Sequence, residues 1–529
     1  MEQQQEIHNR IAARLLDHIN TRGTDQAEGV MRVPSASYTD PQQFQREMAA
    51  IFKRLPILAG LSGEIAQPGQ YKAFDLLGTP LLLTRLKDGS VRAMLNVCAH
   101  RAMKLAEGSG KCDKFACPYH AWVYGNDGGL IRIAGQDTYG DVDKAAMGLT
   151  QLPVYERAGL IFVVLTPELE VDFAGFLGGM IEDIEQLGFA DWHYCGNREI
   201  RGANWKVAYD GYLEGYHFAA AHPQTIHQRT FSNMMAFHFY GPHQLIGFPQ
   251  KDMQAKLGAV DPQQLHRHEN NGYDFVRTLF PNVSIFVAPE ITQVAQLIPG
   301  PTVGENRTVL HFVHRQAPQN EEQRQANETM MDWLRDVVDT EDYSLGLKIQ
   351  QGLASGAHAH VTFGRNEVGN QEFHRWIDHY LSLAPAPAIS GASDLAEIEA
   401  LLQQYACAID QRNLALLDRV FEADSRASYA GLGEFQGARA IAAAIERAIA
   451  RCATTQHMLS NVQVQVSGQR ATARSYLQAI HVGVGEHAGE LQTLWGEYRD
   501  ELEKRPAGWR IIRRELVTLH NQGDIGLLS

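Results

Sequence analysis

Cysteine is scarce: six in 529 residues, at 98, 112, 117, 195, 407 and 452. That scatter is no disulfide framework. Basic residues are outnumbered by acidic ones, 47 to 61, for a formal net charge of −14. The Lys/Arg surplus that neutralises phosphates is missing, which argues against a nucleic-acid partner. Long apolar runs are absent too. A run such as Leu160-Ile-Phe-Val-Val-Leu165 has the length of a strand and cannot span a bilayer. The start, Met1-Glu-Gln-Gln-Gln-Glu-Ile7, lacks the basic-then-apolar pattern of a signal peptide. A cytoplasmic location is therefore expected. Neither a Walker loop nor a strand-linked GxGxxG occurs. Gly431-Leu-Gly433 and Gly483-Val-Gly485 lack the third glycine and read as turns, so no nucleotide or flavin site is expected.

What the chain does have is 44% apolar and 20% charged residues, the balance of a soluble globular protein. Its length suits about three domains. Two of the scarce cysteines stand beside histidines, as Cys98-Ala-His100 and Cys117-Pro-Tyr-His120. Two thiolates and two imidazoles on facing loops satisfy either tetrahedral zinc or an iron–sulfur centre. Zinc-finger spacing pairs Cys with Cys and His with His across a helix. Here each pair is mixed, and the flanks Val91–Val97 and Trp122–Gly129 read as strands and turns. The pattern, with Arg101 after the first pair, closely resembles the Rieske oxygenase family. The resemblance implies a [2Fe–2S] cluster in which Cys98 and Cys117 hold one iron and His100 and His120 the other. Cys112 fits neither pair and is expected to be a free thiol.

Ile7, Ile11, Leu15 and Ile19 fall on one face of a helical lead-in, residues 1–44, expected to pack on the catalytic domain. Residues 45–155 alternate in short β-like runs and, on the resemblance, form the all-β Rieske domain. Residues 156–385 mix strand patterns (Val283–Val287, Thr308–Val313) with a long helical pattern from Glu328 to Leu353. The resemblance makes them a helix-grip (START-like) catalytic domain. Leu383-Ala-Pro-Ala-Pro-Ala-Ile389 reads as a linker.

The segment from Asn204-Trp-Lys206 through Glu214-Gly-Tyr-His217 to His222 is similar to the family's iron-binding motif. His217 and His222 are five apart, about 140° around a regular helix, which is poor for chelating one ion. A π-bulge or an unwinding turn would bring them together, and Pro223 favours such a distortion. The resemblance implies that both bind a mononuclear Fe(II). It also implies a third ligand in the acidic run Asp339-Thr-Glu-Asp342, with Asp342 preferred over Asp339 and Glu341. Asp332 and Asp336 read as a solvated face. Glu214 stands where many ring-dihydroxylating members have Asp. The family's role for that position is a bridge between a cluster histidine of one subunit, here His120, and an iron histidine of the next, here His217. Glu occurs in branches acting on quaternary amines, so the substitution weakens an inference of arene cis-dihydroxylation.

Residues 392–529 continue with helical spacing from Asp394 to Asp424, a second helix from Ala438 to Ala450, then four alternating runs. Helices followed by a curved sheet resemble the NTF2-like (SnoaL-like) α+β cone. Asp410 and His457 there are either an acid/base pair or structural polar residues of an assembly domain, the second being favoured. The whole is thus α+β: Rieske domain, helix-grip domain, NTF2-like cone. The resemblance implies a terminal oxygenase, taking electrons from NAD(P)H through a separate reductase or ferredoxin, in a trimer or trimer-based hexamer. Its expected reaction is mono- or dihydroxylation of an organic, aromatic substrate. The alternative is a monooxygenase or demethylase acting on an amine or methyl group. Two further readings are an electron-transfer protein with an inactive iron site, and a cone-domain dehydratase or isomerase with a redox accessory. Phe231, Met234, Met235, Phe237, Phe239 and Phe248 are expected to line an apolar pocket or to pack in the core.

Overall fold

The computed structural model describes residues 2–267, 272–288, 291–383, 394–505 and 508–526. The chain divides into two compact units, Met1–Ala384 and Pro385–Ser529. The expected linker from Ala384 to Ile389 lies outside the described residues.

The first unit opens with the helix Glu2–Thr21. It buries Ile7, Ile11 and Leu15, one apolar stripe, among Leu245, Met253 and Leu257. A five-stranded antiparallel sheet follows, in the order Gln151–Leu152, Val91–Leu95, Thr79–Arg85, Gln70–Leu76, Gly108–Lys111. Beside it stands a three-stranded sheet of Lys114–Ala116, Val123–Gly125 and Leu130–Arg132. The alternating apolar residues of these short strands close a small core around Leu82, Met94, Trp122 and Tyr124, which also contains Cys98 and Cys117.

The rest of the unit is built on a seven-stranded antiparallel sheet. Its order is His193–Gly202, Asn306–His314, Thr292–Pro299, Val283–Phe286, Tyr273–Leu279, His243–Pro249, Ala236–Tyr240. The strand Thr292–Pro299 is buried at all eight positions, the mark of a sheet covered on both faces. One of its partners is the short helix Trp205–Asp210. The Asn204 side chain caps it by accepting from the Lys206 amide at 2.8 Å. Trp205 donates its indole N–H to Glu47 at 3.0 Å, and Lys206 pairs with the same carboxylate, all buried. Burial pushes the Lys206 ammonium pKa down, against the pull of Glu47. Asn-Trp-Lys is thus the scaffold that leads into the histidine segment. The long helical pattern appears as Glu321–Val337, a wider-wound π-helical stretch Val338–Tyr343, and Ser344–Ala354. Asp332 and Asp336 are on its solvated side, paired with Arg198 and Arg335.

The second unit packs the helices Asp394–Asp410 and Ala438–Ile449 on a six-stranded sheet. Its order is Gly433–Gln436, Phe421–Tyr429, Gly508–Gln522, Leu491–Arg505, Arg470–Gly483, Cys452–Ser467. The expected helix from Asp394 to Asp424 is corrected: it ends at Asp410. Arg412 takes a left-handed φ of 55°, and Asn413 N–H reaches back to the Ala408 carbonyl. That turn stops the helix although Leu414, Leu417 and Val420 keep its apolar period. Leu417 and Val420 enter the same core from a 3₁₀ turn and the residue after it. Among the described residues no helix is long and apolar enough to cross a membrane.

Candidate metal centres and substrate pocket

The two Cys/His loops are built alike. The Cys98 amide donates to the Met103 carbonyl (2.8 Å) and the Ala102 amide to the Cys98 carbonyl (2.9 Å). The Cys117 amide donates to the Trp122 carbonyl (2.7 Å) and the Ala121 amide to the Cys117 carbonyl (2.9 Å). Ala102 and Ala121, each four residues past its cysteine, have φ of 58° and 54°. Left-handed backbone at a residue with a Cβ is uncommon and strained, and two matching instances mark loops shaped for a purpose. Both thiols are free and almost fully buried, at 2% and 4% exposure. The His100 and His120 rings lie 4.5 Å apart, with His100 stacked on Trp122. The Tyr124 oxygen accepts from the Ala99 amide at 3.0 Å and sits 3.2 Å from the Cys98 sulfur. His120 Nδ1 is buried with no hydrogen-bond partner among the described residues. Cys112 is a free thiol.

The second set forms where the Trp205–Asp210 helix gives way to a looser segment. His217 begins and His222 ends the short helix Phe218–Ala221, and His222 leaves helical geometry at φ −117°, ψ 44°. The distortion is therefore an unwound end, not a π-bulge, and it brings the two rings to 5.1 Å. From the π-helical stretch, Asp342 Oδ1 reaches 2.9 Å from His222 Nε2 and 3.6 Å from His217 Nε2. One ligand atom from each of the three lies within 4.8 Å of the others. Asp339 is exposed and outside that group.

Each imidazole is tied at its other nitrogen to a glutamate. His217 Nδ1 contacts Glu214, whose second oxygen receives the Tyr216 amide. His222 Nδ1 lies 2.6 Å from Glu341 Oε2, which also accepts from the Thr225 hydroxyl at 2.5 Å. Burial opposes charging His217, yet the bonds to Asp342 and Glu214 raise its pKa to about 10. Three carboxylates around two rings make a site that calls for a cation. The contacts of Thr225 and Tyr124 escaped the sequence, and Glu341, weighed there as a competing ligand, lies against His222 Nδ1 and outside the convergent triad. Glu341 stood beside Asp342 in the acidic run, and only the fold shows which side of His222 it takes.

A cavity of about 470 Å³ opens on this triad, walled by Tyr212, Phe218, Phe248, Phe286, Trp333 and Leu334. Its polar lining includes Arg229 and Asp274, joined at 2.9 Å. Of the aromatic and Met residues expected to line a pocket or the core, Phe248 lines the cavity; Met235 and Phe237 are core.

Three known families match parts of the chain. The Rieske [2Fe-2S] domain matches residues 56–155, the ring hydroxylating alpha subunit (catalytic domain) residues 189–383, and the SnoaL-like domain residues 391–515. The carnitine monooxygenase oxygenase subunit of Acinetobacter baumannii is 30% identical over 338 residues, 61% of this chain and 85% of that one. The chain belongs to the Rieske non-haem iron oxygenases. Another relative of this oxygenase is the chloroplastic choline monooxygenase of Spinacia oleracea, 35% identical over 195 residues, 36% of this chain and 44% of that one. Among solved structures, the quaternary ammonium Rieske monooxygenase CntA with L-carnitine superposes with a TM-score of 0.57. It is 25% identical, over 67% of this chain and 96% of that one. Naphthalene 1,2-dioxygenase from Rhodococcus sp. shares the fold at TM-score 0.56 and 18% identity, over 71% of this chain and 99% of that one.

The oxygenase therefore carries a Rieske cluster and a mononuclear iron. Its residues fit both groups: buried free thiols with an unpartnered His120 Nδ1 for the cluster, and two Nε2 atoms converging on a carboxylate for the iron. In the SnoaL-like unit Asp410 and His457 meet, Oδ1 to Nδ1 at 2.7 Å. Asp410 also accepts from the His457 amide (2.8 Å) and the Thr455 hydroxyl (2.9 Å). Both carboxylate oxygens are thereby engaged in tying the end of the Asp394–Asp410 helix to the strand Cys452–Ser467.

Proposed function

We propose that this oxygenase is a monooxygenase of substrates bearing an alkylated ammonium group, hydroxylating a C–H bond near the nitrogen. The observation that carries the reading is the set of relatives named for carnitine, choline and glycine betaine, which favours the amine alternative over the expected aromatic substrate. Glu214 supports it, being the residue of the quaternary-amine branches at that position. The cavity suits such a substrate: Phe218, Phe248, Phe286 and Trp333 line it, and aromatic rings can hold an alkylated cation.

Cys98 and Cys117 with His100 and His120 hold the cluster, and His217, His222 and Asp342 hold the iron. When bound, the cluster supplies single electrons and the ferrous iron supplies dioxygen activation. The chain's own part is to orient and to shield. Glu214 orients the His217 imidazole through its Nδ1. The buried Phe218 and Phe248 supply apolar wall on the inner side of the cavity. Glu214, close to the exposed Tyr216, marks the face where a neighbour's His120 docks, and Met103 and Tyr119 expose apolar surface beside the cluster loops for that contact. A head-to-tail trimer satisfies both ends. Overall one C–H becomes C–OH and the second oxygen leaves as water. Two protons and two electrons, from NAD(P)H through a separate reductase or ferredoxin, complete the balance.

The test is product analysis under ¹⁸O₂ with a generic reductase, comparing carnitine, choline, glycine betaine and tertiary amines with naphthalene and benzoate. One labelled oxygen in an amine-derived product supports the reading. Turnover of the arenes to cis-diols, with none of the amines, overturns it.

A further inference from the structure

We propose that Glu341 is a positioning residue for the mononuclear iron: it takes the Nδ1 proton of His222 and so commits Nε2 to the metal, with Thr225 as its anchor. This rests on the reading that His217, His222 and Asp342 hold that iron.

A neutral imidazole has one N–H and one lone pair, and a metal can use only the lone pair. The His222 side chain is 1% exposed, so water cannot settle which nitrogen keeps the proton. The protein must. Glu341 Oε2, an acceptor with no proton to give when ionised, stands 2.6 Å from Nδ1, while Asp342 Oδ1 stands 2.9 Å from Nε2. If the Nδ1 acceptor were lost, the proton could move to Nε2 and hydrogen-bond Asp342, leaving no lone pair aimed at the iron.

The backbone explains how two consecutive acids grip opposite edges of one ring. Neighbours on an α-helix point about 100° apart, and somewhat less on a wider-wound π-helix. Glu341 and Asp342 diverge in this way from the π-helical stretch Val338–Tyr343, and His222 sits between them. Thr225, three residues beyond His222, donates to the same Oε2 at 2.5 Å and stops the carboxylate from turning away. Glu341 thus does for His222 what Glu214 does for His217, but from a distant part of the chain.

The experiment uses the full-length holoprotein and measures the rate at which a ferrous chelator removes mononuclear iron, together with the visible spectrum of the site refilled with Co(II). Glu341→Leu should lose iron about 10- to 100-fold faster, with shifted Co(II) bands and unchanged cluster absorbance. Glu341→Gln keeps an acceptor oxygen and should recover most of the loss. Thr225→Val should move both readouts the same way by less, and Asp339→Asn, on the exposed side of the same stretch, should match wild type. Wild-type iron retention and cobalt spectrum in Glu341→Leu would overturn the proposal, as would equal losses in the Leu and Gln variants. If Glu341→Leu does not fold, Thr225→Val decides: unchanged iron loss and cobalt bands there would overturn it. His222→Ala separates the two levels. Iron retained in that variant refutes the ligand assignment itself, whereas iron lost there but held in Glu341→Leu refutes only the role given to Glu341.

Discussion

One phenolic hydroxyl stands against a cysteine of the candidate cluster loops. The Tyr124 oxygen accepts from the Ala99 amide and lies 3.2 Å from the Cys98 sulfur; toward a thiolate at Cys98 its O–H would be the donor. Hydrogen bonds to cluster sulfurs raise the reduction potential by stabilising the more negative, reduced state. Tyr124→Phe should therefore lower the midpoint potential while the cluster stays bound, as redox titration of its absorbance would show. At the other metal, Asp342→Asn should abolish turnover and deplete mononuclear iron, leaving cluster iron intact by metal analysis. The residues that converge at the two candidate centres were legible in the sequence as ligand types at short spacing. The positions taken by Tyr124 and Glu341 were not. Their meaning lies in contacts with Cys98 and His222, which the fold alone brings to them.

At the scale of elements, the segment before His217 depends on a buried ion pair. Glu47 receives both Lys206 and the Trp205 indole, out of contact with solvent. Glu47→Ala strands an ammonium in the core and should cost about 3–5 kcal/mol in urea unfolding. The seven-stranded sheet adds a dependence on pH. His243 accepts the Phe280 amide at Nδ1 and donates from Nε2 to the Phe176 carbonyl, so its neutral form fills both bonds. Burial depresses the pKa of His243 and of His311 to about 4. The unfolded chain, with histidine near 6.5, then takes up protons before the folded one does. Their contribution is complete above pH 6.5 and is lost as pH falls toward 4. Thermal midpoints measured across that window should drop, and a flat profile would contradict the assignment. Periodicity found the strands and most helices. It overran Asp410, because the left-handed Arg412 turn leaves no trace in an apolar pattern that continues through Leu414 and Leu417.

The whole molecule is two units with separate apolar cores, one centred on residues such as Trp205, Phe280 and Phe312 and the other on Tyr405, Leu477 and Ile511. Calorimetry of the full chain should resolve two transitions, and Asp410→Ala should lower only the one belonging to the second unit. A single transition, or one in which both shift together, would argue against independent folding. The substrate was the least legible feature. Pocket walls come from scattered elements, and only Phe248 of the aromatic and Met residues singled out by sequence reaches them. The iron triad has a consequence for biosynthesis as well. Cys98, His100, Cys117 and His120 leave the ribosome close together, whereas His217 and His222 emerge long before Asp342 and Glu341. If the proposed residues hold the two groups, the nascent chain would expose every cluster ligand well before the last iron ligand. On the proposed ligand set, iron would be retained only once the Val338–Tyr343 stretch has docked, and a translation product cut short before that stretch would carry the cluster residues without the proposed iron site.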